Sequence, residues 1–452
     1  MYSNILFICA DQHRRDCVGY SKRYPVKTPN IDRIANEGIR FDRAYTPNPI
    51  CVPARRSMMC CQRPEAFGTL CNDDQGIPML PFTSKSFSWA RCVKEKGYYN
   101  GYIGEWHVSH DEDPTAFGYD RYVSTGQLMK YYADYPSDTS HGFFGDVSAV
   151  PFEKSRTHMA AEYAVEMMKE AGERPWHIRL NFTDPHLPCR PSEPFASMYP
   201  EVPKWEAFDD NFENKPFMQR QMLLNWNNKD RPWEDYCRMV KLYYGMITQM
   251  DDAVGRVLAY LDSTGQYENT LIIYTSDHGD MTGERRMLDK HYIMYDSVVR
   301  VPLCMKLPGG PLGRVCDQPV YNMDIGPTIL DFLGCEIPPG LHGKSLLGAA
   351  RGEDIGREYA LVTYNGQQFG LYTQRMICDG KYKYVWNPSD KDELYDTEND
   401  PGELCNLIDD EKEAKELSRL RLAMIDELCK VNDYTMRSPW LIDQLKYGRK
   451  AT

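Results

Sequence analysis

The chain alternates short, strongly apolar runs with longer stretches in which apolar positions recur at helical spacing. The short runs are rich in β-branched and aromatic residues, which favours buried strands, and the longer stretches favour amphipathic helices. Central strands are predicted at residues 5–10, 176–183, 270–276 and 301–307. Strands that alternate with helices in this way predict an α/β fold, with a large, mostly parallel central sheet flanked by helices on both faces.

Two of the intervening helices have ends that the sequence identifies. Thr28 and Pro29 fit the start of a short helix that Gly38 ends, because proline suits the first helical turn and glycine suits a helix end. A long helix is predicted for residues 236–261. Residues 199–233 are dense in Pro, Trp, Asn and charge, and we interpret them as a long irregular segment of the kind that often faces a substrate.

The pattern changes near residue 338, where glycine-rich turns precede short alternating strands. These strands are predicted at residues 359–363, 371–378 and 381–386, and a charged helix is predicted at residues 410–428. The pattern is typical of a smaller α+β unit on an antiparallel sheet. We therefore predict a main domain over residues 1–345 and a C-terminal subdomain over residues 346–452 that completes the substrate pocket.

The chain has 53 Lys and Arg residues against 65 Asp and Glu residues, a net charge of −12, without any long basic run. This balance argues against nucleic acid and anionic membranes as partners. No stretch approaches the roughly 18 apolar residues that span a bilayer, and the start of the sequence lacks the basic lead-in of a signal peptide. We therefore expect a soluble, cytoplasmic protein of unspecified oligomeric state, with its fifteen cysteines mostly reduced.

Polar residues directly follow three of the predicted strands, at the positions where doubly wound sheets bind ligands. They are Asp11, Gln12 and His13 after the first strand, Asp184 and His186 after the second, and Asp277, His278 and Asp280 after the third. Carboxylates beside amide or imidazole groups favour a hard divalent cation, Ca²⁺ or Mg²⁺, over structural zinc. The alternative is that each aspartate caps the next helix or turn, which is commoner for any single one. Asp280, Glu284 and Asp289 are interpreted as neighbours of such a site or as surface residues rather than ligands.

The stretch Cys51-Val52-Pro53-Ala54-Arg55 begins where a loop rich in Pro and Asn gives way to a helix-compatible run. Pro53 suits the first helical turn, which places Cys51 at a helix N-terminus, where free amides and the helix dipole favour negative charge. Arg55 lies one turn further on and can reach the same point. On the residues alone, the pattern fits either an activated thiolate or a core cysteine beside a surface arginine.

Over nearly its whole length the sequence resembles the sulfatases of the alkaline phosphatase superfamily. Residues 51–55 are similar to the family signature C-x-P-x-R, whose cysteine is oxidised after translation to formylglycine. Further blocks in family order are Thr28-Pro29-Asn30-Ile31-Asp32, Gly104-Glu105-Trp106-His107, Asp184-Pro185-His186-Leu187-Pro188, Ser276-Asp277-His278-Gly279, Arg300-Val301-Pro302-Leu303 and Asp392-Glu393-Leu394-Tyr395-Asp396. The resemblance implies a sulfuric ester hydrolase whose catalytic domain is the predicted main domain.

Carried over to the matching positions, the resemblance implies one divalent cation, Ca²⁺, with Mg²⁺ or Mn²⁺ as alternatives. Its implied ligands are Asp11, Gln12, Asp277, His278 and the modified Cys51. The family commonly has aspartate where this chain has Gln12, and glutamine there is similar to the branch that includes phosphonate monoester and choline-sulfate hydrolases. The resemblance also implies a partner, the maturation enzyme that generates formylglycine.

The remaining catalytic roles are implied by the same resemblance. Arg55 would hold the formylglycine hydrate and the sulfate oxygens, and His107 would assist the release of sulfate. His186 and Lys290 would contact the ester and help to protonate the leaving oxygen. In this chemistry one hydroxyl of the hydrated aldehyde attacks sulfur, and the other later expels sulfate.

One residue departs from the family pattern. The family usually has lysine where this chain has Glu105, two residues before His107. That lysine normally contacts the sulfate, whereas a glutamate would repel it. In one interpretation Glu105 forms a salt bridge with a nearby Arg or Lys, and in the other it recognises a cationic or hydroxylated part of the substrate.

The leading hypothesis is therefore a sulfatase that acts on a sulfated carbohydrate or another small, anionic sulfate ester. A second hypothesis keeps the same site but hydrolyses phosphonate monoesters or phosphodiesters, because a sulfate monoester and a phosphonate monoester carry the same single negative charge. A third hypothesis is a non-catalytic protein that binds sulfated ligands, and Glu105 is its only support in the sequence.

Overall fold

A computed structural model of the protein describes residues 3–72, 79–366 and 368–449. Within these residues the strands are β1 (Asn4–Ala10), β2 (Ile39–Phe41), β3 (Ala44–Tyr45), β4 (Tyr99–Gly104), β5 (Arg121–Ser124), β6 (Trp176–Asn181), β7 (Thr270–Ser276), β8 (Leu303–Lys306), β9 (Arg314–Cys316), β10 (Val320–Tyr321), β11 (Ala360–Gly366), β12 (Tyr372–Cys378), β13 (Tyr382–Trp386) and β14 (Glu393–Asp396). The α-helices are α1 (Pro29–Asn36), α2 (Cys51–Cys60), α3 (Pro64–Phe67), α4 (Trp89–Glu95), α5 (Thr125–Leu128), α6 (Arg156–Ala171), α7 (Phe217–Asn225), α8 (Trp233–Ser263), α9 (Asp296–Val299), α10 (Ile325–Phe332), α11 (Leu347–Arg351), α12 (Ala414–Lys430) and α13 (Pro439–Tyr447).

Eight of the described strands form one large sheet in the order β5-β4-β6-β1-β7-β8-β2-β9. The first five are parallel to one another, β8 is antiparallel to both β7 and β2, and β9 is parallel to β2. The predicted fold class, a mostly parallel sheet between helices, is confirmed. The strand predicted at residues 301–307 is the antiparallel β8, and β4 was not predicted because Asn100, Gly101 and Gly104 interrupt its apolar pattern.

The apolar run of β1 is continuous because both faces of the sheet are covered. Alternate side chains enter two separate cores. On one face lie Ile5, Phe7 and Cys9, packed with Met58 of α2, Trp89 of α4 and Ile329 of α10. On the other face lie Leu6, Ile8 and Ala10, packed with Ala160 of α6 and Val254 of α8. The sheet is thus the middle layer of three, and its strand ends are the part left open for a site.

Two predicted helices are present as α1 and α8. The prediction that residues 199–233 are irregular throughout is wrong, because this segment contains α7. Met218, Gln219, Met222 and Leu223 of α7 are buried, and their spacing puts them on one helical face. The helical spacing of these apolar positions is short, and the Pro- and Trp-rich residues on both sides make it hard to recognise in the sequence.

The C-terminal part of the chain forms an antiparallel sheet of four strands in the order β11-β12-β13-β14. Leu361 and Ile377 on one face pack against Leu420 and Met424 of α12. Val362, Met376 and Val385 on the other face pack against the segment that precedes β8. The predicted boundary between residues 345 and 346 stays a prediction.

A buried lysine side chain connects this C-terminal sheet to the segment between β7 and β8 of the large sheet. Lys383 of β13 is fully buried, and its Nζ contacts the carboxylates of Asp296 in α9 and of Glu403, the latter at 2.6 Å. The Nζ also donates to the main-chain oxygen of Met294 (3.1 Å). The segment between β7 and β8 is therefore anchored from the C-terminal side.

All fifteen cysteines lie within the described part of the chain, and no disulfide bond joins any two of them there. Cys405 and Cys429 are exposed, and the others are buried or half-buried, which protects those thiols from exchange. Among the described residues, no helix combines the length and the apolar character that crossing a bilayer requires.

The anchoring role of Lys383 gives the first prediction. Lys383→Met leaves the buried carboxylate of Glu403 without its cation, whereas Asp296, 25% exposed, keeps Arg300 at 2.8 Å. We expect the free energy of unfolding to fall by about 3 kcal/mol, the lower end for a broken buried ion pair. Urea denaturation followed by circular dichroism measures this change. Lys381→Met, at an exposed position beside the same strand, is the matched control and should unfold like the wild type. Equal stability of the two variants would contradict the anchoring role.

Candidate active site

Three loops that follow neighbouring strands meet at one edge of the large sheet. β6, β1 and β7 lie side by side and run parallel, so Asp11, Asp184 and Asp277 leave the sheet at the same edge. The main-chain N–H of Asp11 donates to the carbonyl of Asp184 (3.2 Å), and that of Asp277 donates to the carbonyl of Ala10 (3.2 Å). This edge is where doubly wound sheets bind ligands.

Four buried side chains converge beside this edge. One potential ligand atom from each of Asp11, Cys51, Asp277 and His278 lies within 4.8 Å of all the others. The Cys51 Sγ is 3.2 Å from the His278 Nε2 and 4.0 Å from the Asp11 Oδ1. The His278 Nε2 is 4.0 Å from the Asp11 Oδ1 and 3.8 Å from the Asp277 Oδ1. We call these four residues the ligand cluster.

Arg55 is fully buried and contacts both carboxylates of the ligand cluster. Its Nη2 lies 2.8 Å from the Asp11 Oδ2, and its Nε lies 2.9 Å from the Asp277 Oδ2. Burial alone would lower the pKa of Arg55, but the charges of Asp277 and Asp11 raise it well above its ordinary value. Because Arg55 takes the Oδ2 of each carboxylate, both Oδ1 atoms face the other ligand atoms and are the ones available to a cation.

The imidazole of His278 is oriented by its own loop. Its Nδ1 lies 2.9 Å from the carbonyl oxygen of Gly279, and because a carbonyl only accepts, Nδ1 carries the proton and Nε2 presents its lone pair to the ligand cluster. Burial lowers the pKa of His278 well below its ordinary value, which favours the neutral, metal-binding form. Glycine is required at 279 because a Cβ there would lie 1.9 Å from the main-chain oxygen of Ser297.

Cys51 is the first residue of α2, every residue of which is buried. Burial, and next the charge of Asp11, raise the pKa of the Cys51 thiol well above its ordinary value. The unmodified side chain is therefore a protonated thiol, and the interpretation as an activated thiolate is not supported. The alternative of a core cysteine beside a surface arginine is not supported either, since Arg55 is 0% exposed.

Gln12 contacts the ligand cluster through its backbone, because its main-chain N–H donates to the Asp277 Oδ1 (3.2 Å). Its side-chain Nε2 donates to the carboxylates of Asp280 and of Asp289, the latter at 2.9 Å. Its Oε1 accepts a hydrogen bond from the Lys290 Nζ (3.0 Å). The two aspartates, interpreted from the sequence as neighbours or surface residues, thus bind the amide of an implied ligand.

His186 and Lys290, the implied leaving-group residues, lie together next to Gln12. The Lys290 Nζ is 3.2 Å from the His186 Nε2, and the His186 Nδ1 is 2.6 Å from the main-chain oxygen of Leu187. The Nδ1 must therefore donate to that oxygen, which leaves Nε2 to accept from the ammonium. Burial opposes the charge on Lys290, but the carboxylate of Asp289 outweighs it and raises the pKa of Lys290 above its ordinary value.

Glu105 lies beside the implied catalytic His107 and has no Arg or Lys salt-bridge partner among the described residues. Its carboxylate accepts hydrogen bonds from the hydroxyls of Thr125 (3.2 Å) and Thr183 (3.3 Å). Its Oε1 lies 3.9 Å from the His107 Nδ1, and the side chain is 24% exposed. Of the two interpretations of Glu105, the salt bridge to an Arg or Lys has no counterpart among the described residues, where two threonine hydroxyls and His107 contact the carboxylate.

His107 is the most exposed of the implied catalytic side chains, at 42%. Its backbone is in the left-handed region, with φ of 47°, a conformation that costs energy for any residue with a Cβ and that is often found at functional sites. Although the side chain is 42% exposed, partial desolvation by the surrounding protein lowers the pKa of His107, and the charge of Glu105 opposes this shift. The neutral imidazole is consequently the favoured form near neutral pH.

Comparisons with known proteins agree with this geometry. A model of the sulfatase family matches residues 3–335, and a model of the C-terminal region of N-sulphoglucosamine sulphohydrolase matches residues 283–430. The chain belongs to the sulfatase family. This membership confirms the resemblance inferred from the sequence, and the protein is a sulfuric ester hydrolase.

Relatives of this sulfatase cover at least nine tenths of its length. It is 30% identical to an uncharacterised sulfatase of Escherichia coli, over 97% of this chain and 89% of the relative. It is 29% identical to a choline-sulfatase of Rhizobium meliloti, over 90% of this chain and 82% of the relative. Its fold matches the solved phosphonate monoester hydrolase of Silicibacter pomeroyi with a TM-score of 0.82 and 25% identity, over 96% of both chains.

Membership of the sulfatase family implies a divalent cation and a modified cysteine, and the donor set of this sulfatase fits both. Two carboxylate oxygens and one neutral imidazole nitrogen suit a hard or borderline divalent cation. The thiol of Cys51 is the only soft donor in the ligand cluster. Its conversion to formylglycine would replace sulfur with oxygen and make the donor set uniform in character.

Several residues that hold the sulfatase site were not identified from the sequence. The Asn322 Nδ2 donates to the main-chain oxygens of Ser276 and Asp277 (3.0 Å each), and the Tyr243 hydroxyl donates to that of Gln12 (2.7 Å). Both residues lie in helical or loop segments far along the chain from the strands that they support. Their residue types alone do not indicate this role, because asparagine and tyrosine are common both at functional sites and elsewhere.

The position of Arg55 gives the second prediction. Arg55→Met leaves Asp11 and Asp277 buried side by side without their shared cation, and we expect the free energy of unfolding in the absence of metal to fall by about 3–5 kcal/mol. Arg55→Lys keeps the charge but loses the planar geometry, so it should lose less stability. Chemical denaturation of both variants measures the difference. Wild-type stability of Arg55→Met would contradict the role assigned to these ion pairs.

Proposed function

We propose that this sulfatase hydrolyses a sulfated carbohydrate or another small sulfate ester, with a formylglycine derived from Cys51 as nucleophile and one divalent cation, Ca²⁺ or alternatively Mg²⁺ or Mn²⁺. The convergence of Asp11, Cys51, Asp277 and His278 within 4.8 Å carries this proposal. It puts position 51 where a nucleophile and a cation would meet. The four residues come from three separate segments of the chain, so their proximity is not a consequence of sequence neighbourhood.

The surroundings of Cys51 support its modification. A protonated, buried thiol is a weak nucleophile. A hydrated aldehyde at the same position has two hydroxyls, one to attack sulfur and one to expel sulfate afterwards. When bound, the cation supplies Lewis acidity towards the sulfuryl oxygens and the hydroxyl at position 51.

The proposed cation ligands are the Oδ1 atoms of Asp11 and Asp277, the His278 Nε2, the side chain at position 51 and the Gln12 amide oxygen. Arg55 keeps the two carboxylates in place through their Oδ2 atoms. Its Nη1 also donates to the main-chain oxygen of Glu105 (3.1 Å), and the N–H groups that are left are assigned to the formylglycine hydrate and the sulfate oxygens. In this role the guanidinium stabilises charge that spreads over those oxygens in the transition state.

Lys290 and His186 are proposed to act on the leaving oxygen. The ammonium of Lys290 is the charged donor of the pair, because the His186 Nε2 accepts from it at 3.2 Å. Transfer of a proton through this contact places it at the His186 Nε2, the atom that faces the ester in the proposal. Whether or not this proton is transferred, the ammonium of Lys290 stabilises negative charge on the departing alkoxide.

His107 is proposed to accept the proton that the release of sulfate from position 51 requires. Burial favours its neutral imidazole, since it lowers the pKa of His107, and the neutral imidazole is the form that accepts a proton. Glu105 lies 3.9 Å from the His107 Nδ1 and would stabilise the imidazolium once it forms. The exposed edge of His107 is consistent with a step that ends in release of an anion to solvent.

A second candidate function, hydrolysis of phosphonate monoesters or phosphodiesters, is favoured by one specific observation. Gln12 stands where the family commonly has aspartate, and the phosphonate monoester hydrolase of Silicibacter pomeroyi shares the fold over 96% of both chains. With an amide ligand the site carries one negative charge fewer than it would with a carboxylate. This difference does not discriminate between the substrates of the two reactions, because both are monoanions.

Cation removal and Cys51 replacement test the leading proposal. EDTA should abolish hydrolysis of p-nitrophenyl sulfate, and added Ca²⁺ should restore it, because the proposed nucleophile needs the cation. Cys51→Ala should be inactive, whereas Cys429→Ala, at an exposed position far along the chain, should keep wild-type activity. Mass spectrometry of the peptide that contains residue 51 should show an aldehyde in active enzyme. Full activity with an unmodified Cys51 would contradict the proposal.

A parallel assay with p-nitrophenyl phenylphosphonate separates the two candidate functions. We expect a higher kcat/KM for a sulfate ester, from a panel that includes sulfated monosaccharides, than for the phosphonate. A higher kcat/KM for the phosphonate would favour the second candidate. Cys51→Ala should lose both activities if one site performs both.

Glu105 is proposed to recognise a cationic or hydroxylated part of the substrate, since no Arg or Lys among the described residues forms a salt bridge with its carboxylate. For Glu105→Gln we expect the KM for choline sulfate to rise about 5-fold more than the KM for p-nitrophenyl sulfate, which corresponds to about 1 kcal/mol for one ion pair. Asp111→Asn, at an exposed position in the same segment, is the control. An equal change in both KM values would contradict this role.

A further inference from the structure

The side-chain amide of Gln12 is held by charged groups on both ends. Its Nε2 donates one hydrogen bond to the Asp280 Oδ2 and one to the Asp289 Oδ1, the latter at 2.9 Å. Its Oε1 accepts from the Lys290 Nζ at 3.0 Å. Gln12 is 0% exposed, so solvent does not replace any of these partners. An amide nitrogen has two protons, and each carboxylate takes one of them.

This arrangement allows a single orientation of the amide. Exchange of its oxygen and nitrogen would set the oxygen against two carboxylate oxygens and the NH₂ group against the Lys290 ammonium. Both contacts would then be repulsive, so the chemistry of the partners assigns the two atoms. The Oε1 is consequently fixed on the side of Lys290.

The two carboxylates are themselves held in place. The Asp280 Oδ1 accepts from the main-chain N–H and the hydroxyl of Thr282, the latter at 2.6 Å. The Asp289 Oδ2 lies 2.9 Å from the His291 Nε2, and its Oδ1 lies 3.2 Å from the Lys290 Nζ. We call Asp280 and Asp289 the amide clamp, because both bind the same NH₂ group and neither is free to turn away.

We propose that the amide clamp makes glutamine necessary at position 12 and directs its carbonyl oxygen towards Lys290 and the cation. Asp280 and Asp289 are then positioning residues, which act through Gln12 and Lys290 and not on the substrate. This inference rests on the proposed function, since it assigns the clamp to the cation site. It adds a reason for the departure from the aspartate that the family commonly has there.

The consequence is a reversal of the usual effect of charge. Replacing an amide ligand by a carboxylate ordinarily strengthens the binding of a divalent cation, because a negative charge is added. At position 12 a carboxylate would have no proton to give and would face two further carboxylates. It would turn away from them or distort the loop, and cation binding would weaken.

The test uses Gln12→Glu, which preserves the length of the side chain, in purified, formylglycine-containing enzyme. Calcium affinity is measured by isothermal titration calorimetry, independently of activity. We expect Gln12→Glu to bind Ca²⁺ about 10- to 100-fold more weakly than the wild type, the loss typical of a disturbed ligand environment. The double variant Gln12→Glu/Asp280→Asn supplies an amide that can donate to the introduced carboxylate, and it should recover most of the affinity.

Two single variants complete the design. Asp289→Ala removes one acceptor of the clamp without adding charge at position 12, and a loss of affinity of about 10-fold or more is expected, of the order seen when groups that orient metal ligands are replaced. Glu268→Gln makes the same change of a carboxylate to an amide just before β7, at the opposite end of that strand from the site, where the side chain is 85% exposed. This control should bind Ca²⁺ like the wild type.

The outcomes separate the clamp from the proposed function. Equal or tighter Ca²⁺ binding by Gln12→Glu, or no recovery in the double variant, would overturn the clamp. If the wild type binds no divalent cation, the proposed function fails. The clamp is then tested by the melting temperatures of the metal-free proteins. A lower value for Gln12→Glu that Asp280→Asn restores supports the clamp, and unchanged values overturn it. If Gln12→Glu does not fold, Asp289→Ala decides by the same affinity measurement.

Discussion

Two carboxylates that enter one buried volume from adjacent strands constrain the whole site. Asp11 follows β1 and Asp277 follows β7, and without an intervening cation their charges would repel each other strongly in this water-poor environment. Arg55 gives one nitrogen to the Oδ2 of each, at 2.8 and 2.9 Å. Because Arg55 is one helical turn from Cys51, the same ion pairs fix the start of α2 and hold Cys51 3.2 Å from His278.

The segment between β7 and β8 carries much of the chemistry and is held from three directions. Asn322 binds its beginning through the main-chain oxygens of Ser276 and Asp277. The amide of Gln12 binds its middle, where Lys290 lies. Lys383 of the C-terminal sheet binds its end at Asp296. The C-terminal unit thus contributes to the site by holding a loop in place, although Lys383 itself lies in a different sheet from the strands that carry the ligand cluster.

The sequence predicts the parts of this molecule that depend on local pattern. The apolar run of β1, the polar residues that follow it and the C-x-P-x-R segment that starts α2 could all be recognised from the sequence. The sequence also showed that Glu105 departs from the family pattern, but it did not show which residues contact the carboxylate. Thr125 and Thr183 belong to segments that only the pairing of β4 with β5 and β6 brings together. For the same reason the sequence left Asp280 and Asp289 as either neighbours of the site or surface residues, since an exposed and a buried aspartate look alike in a sequence.

The central claim is that Asp11, Asp277, His278 and a modified Cys51 hold one divalent cation. Anomalous diffraction from crystals of the formylglycine-containing enzyme soaked in Mn²⁺ tests it most directly. The account predicts one strong peak within about 2.5 Å of an Oδ1 of each aspartate and of the His278 Nε2, next to oxygen density at position 51. A fully occupied peak elsewhere, with none between these side chains, would contradict it.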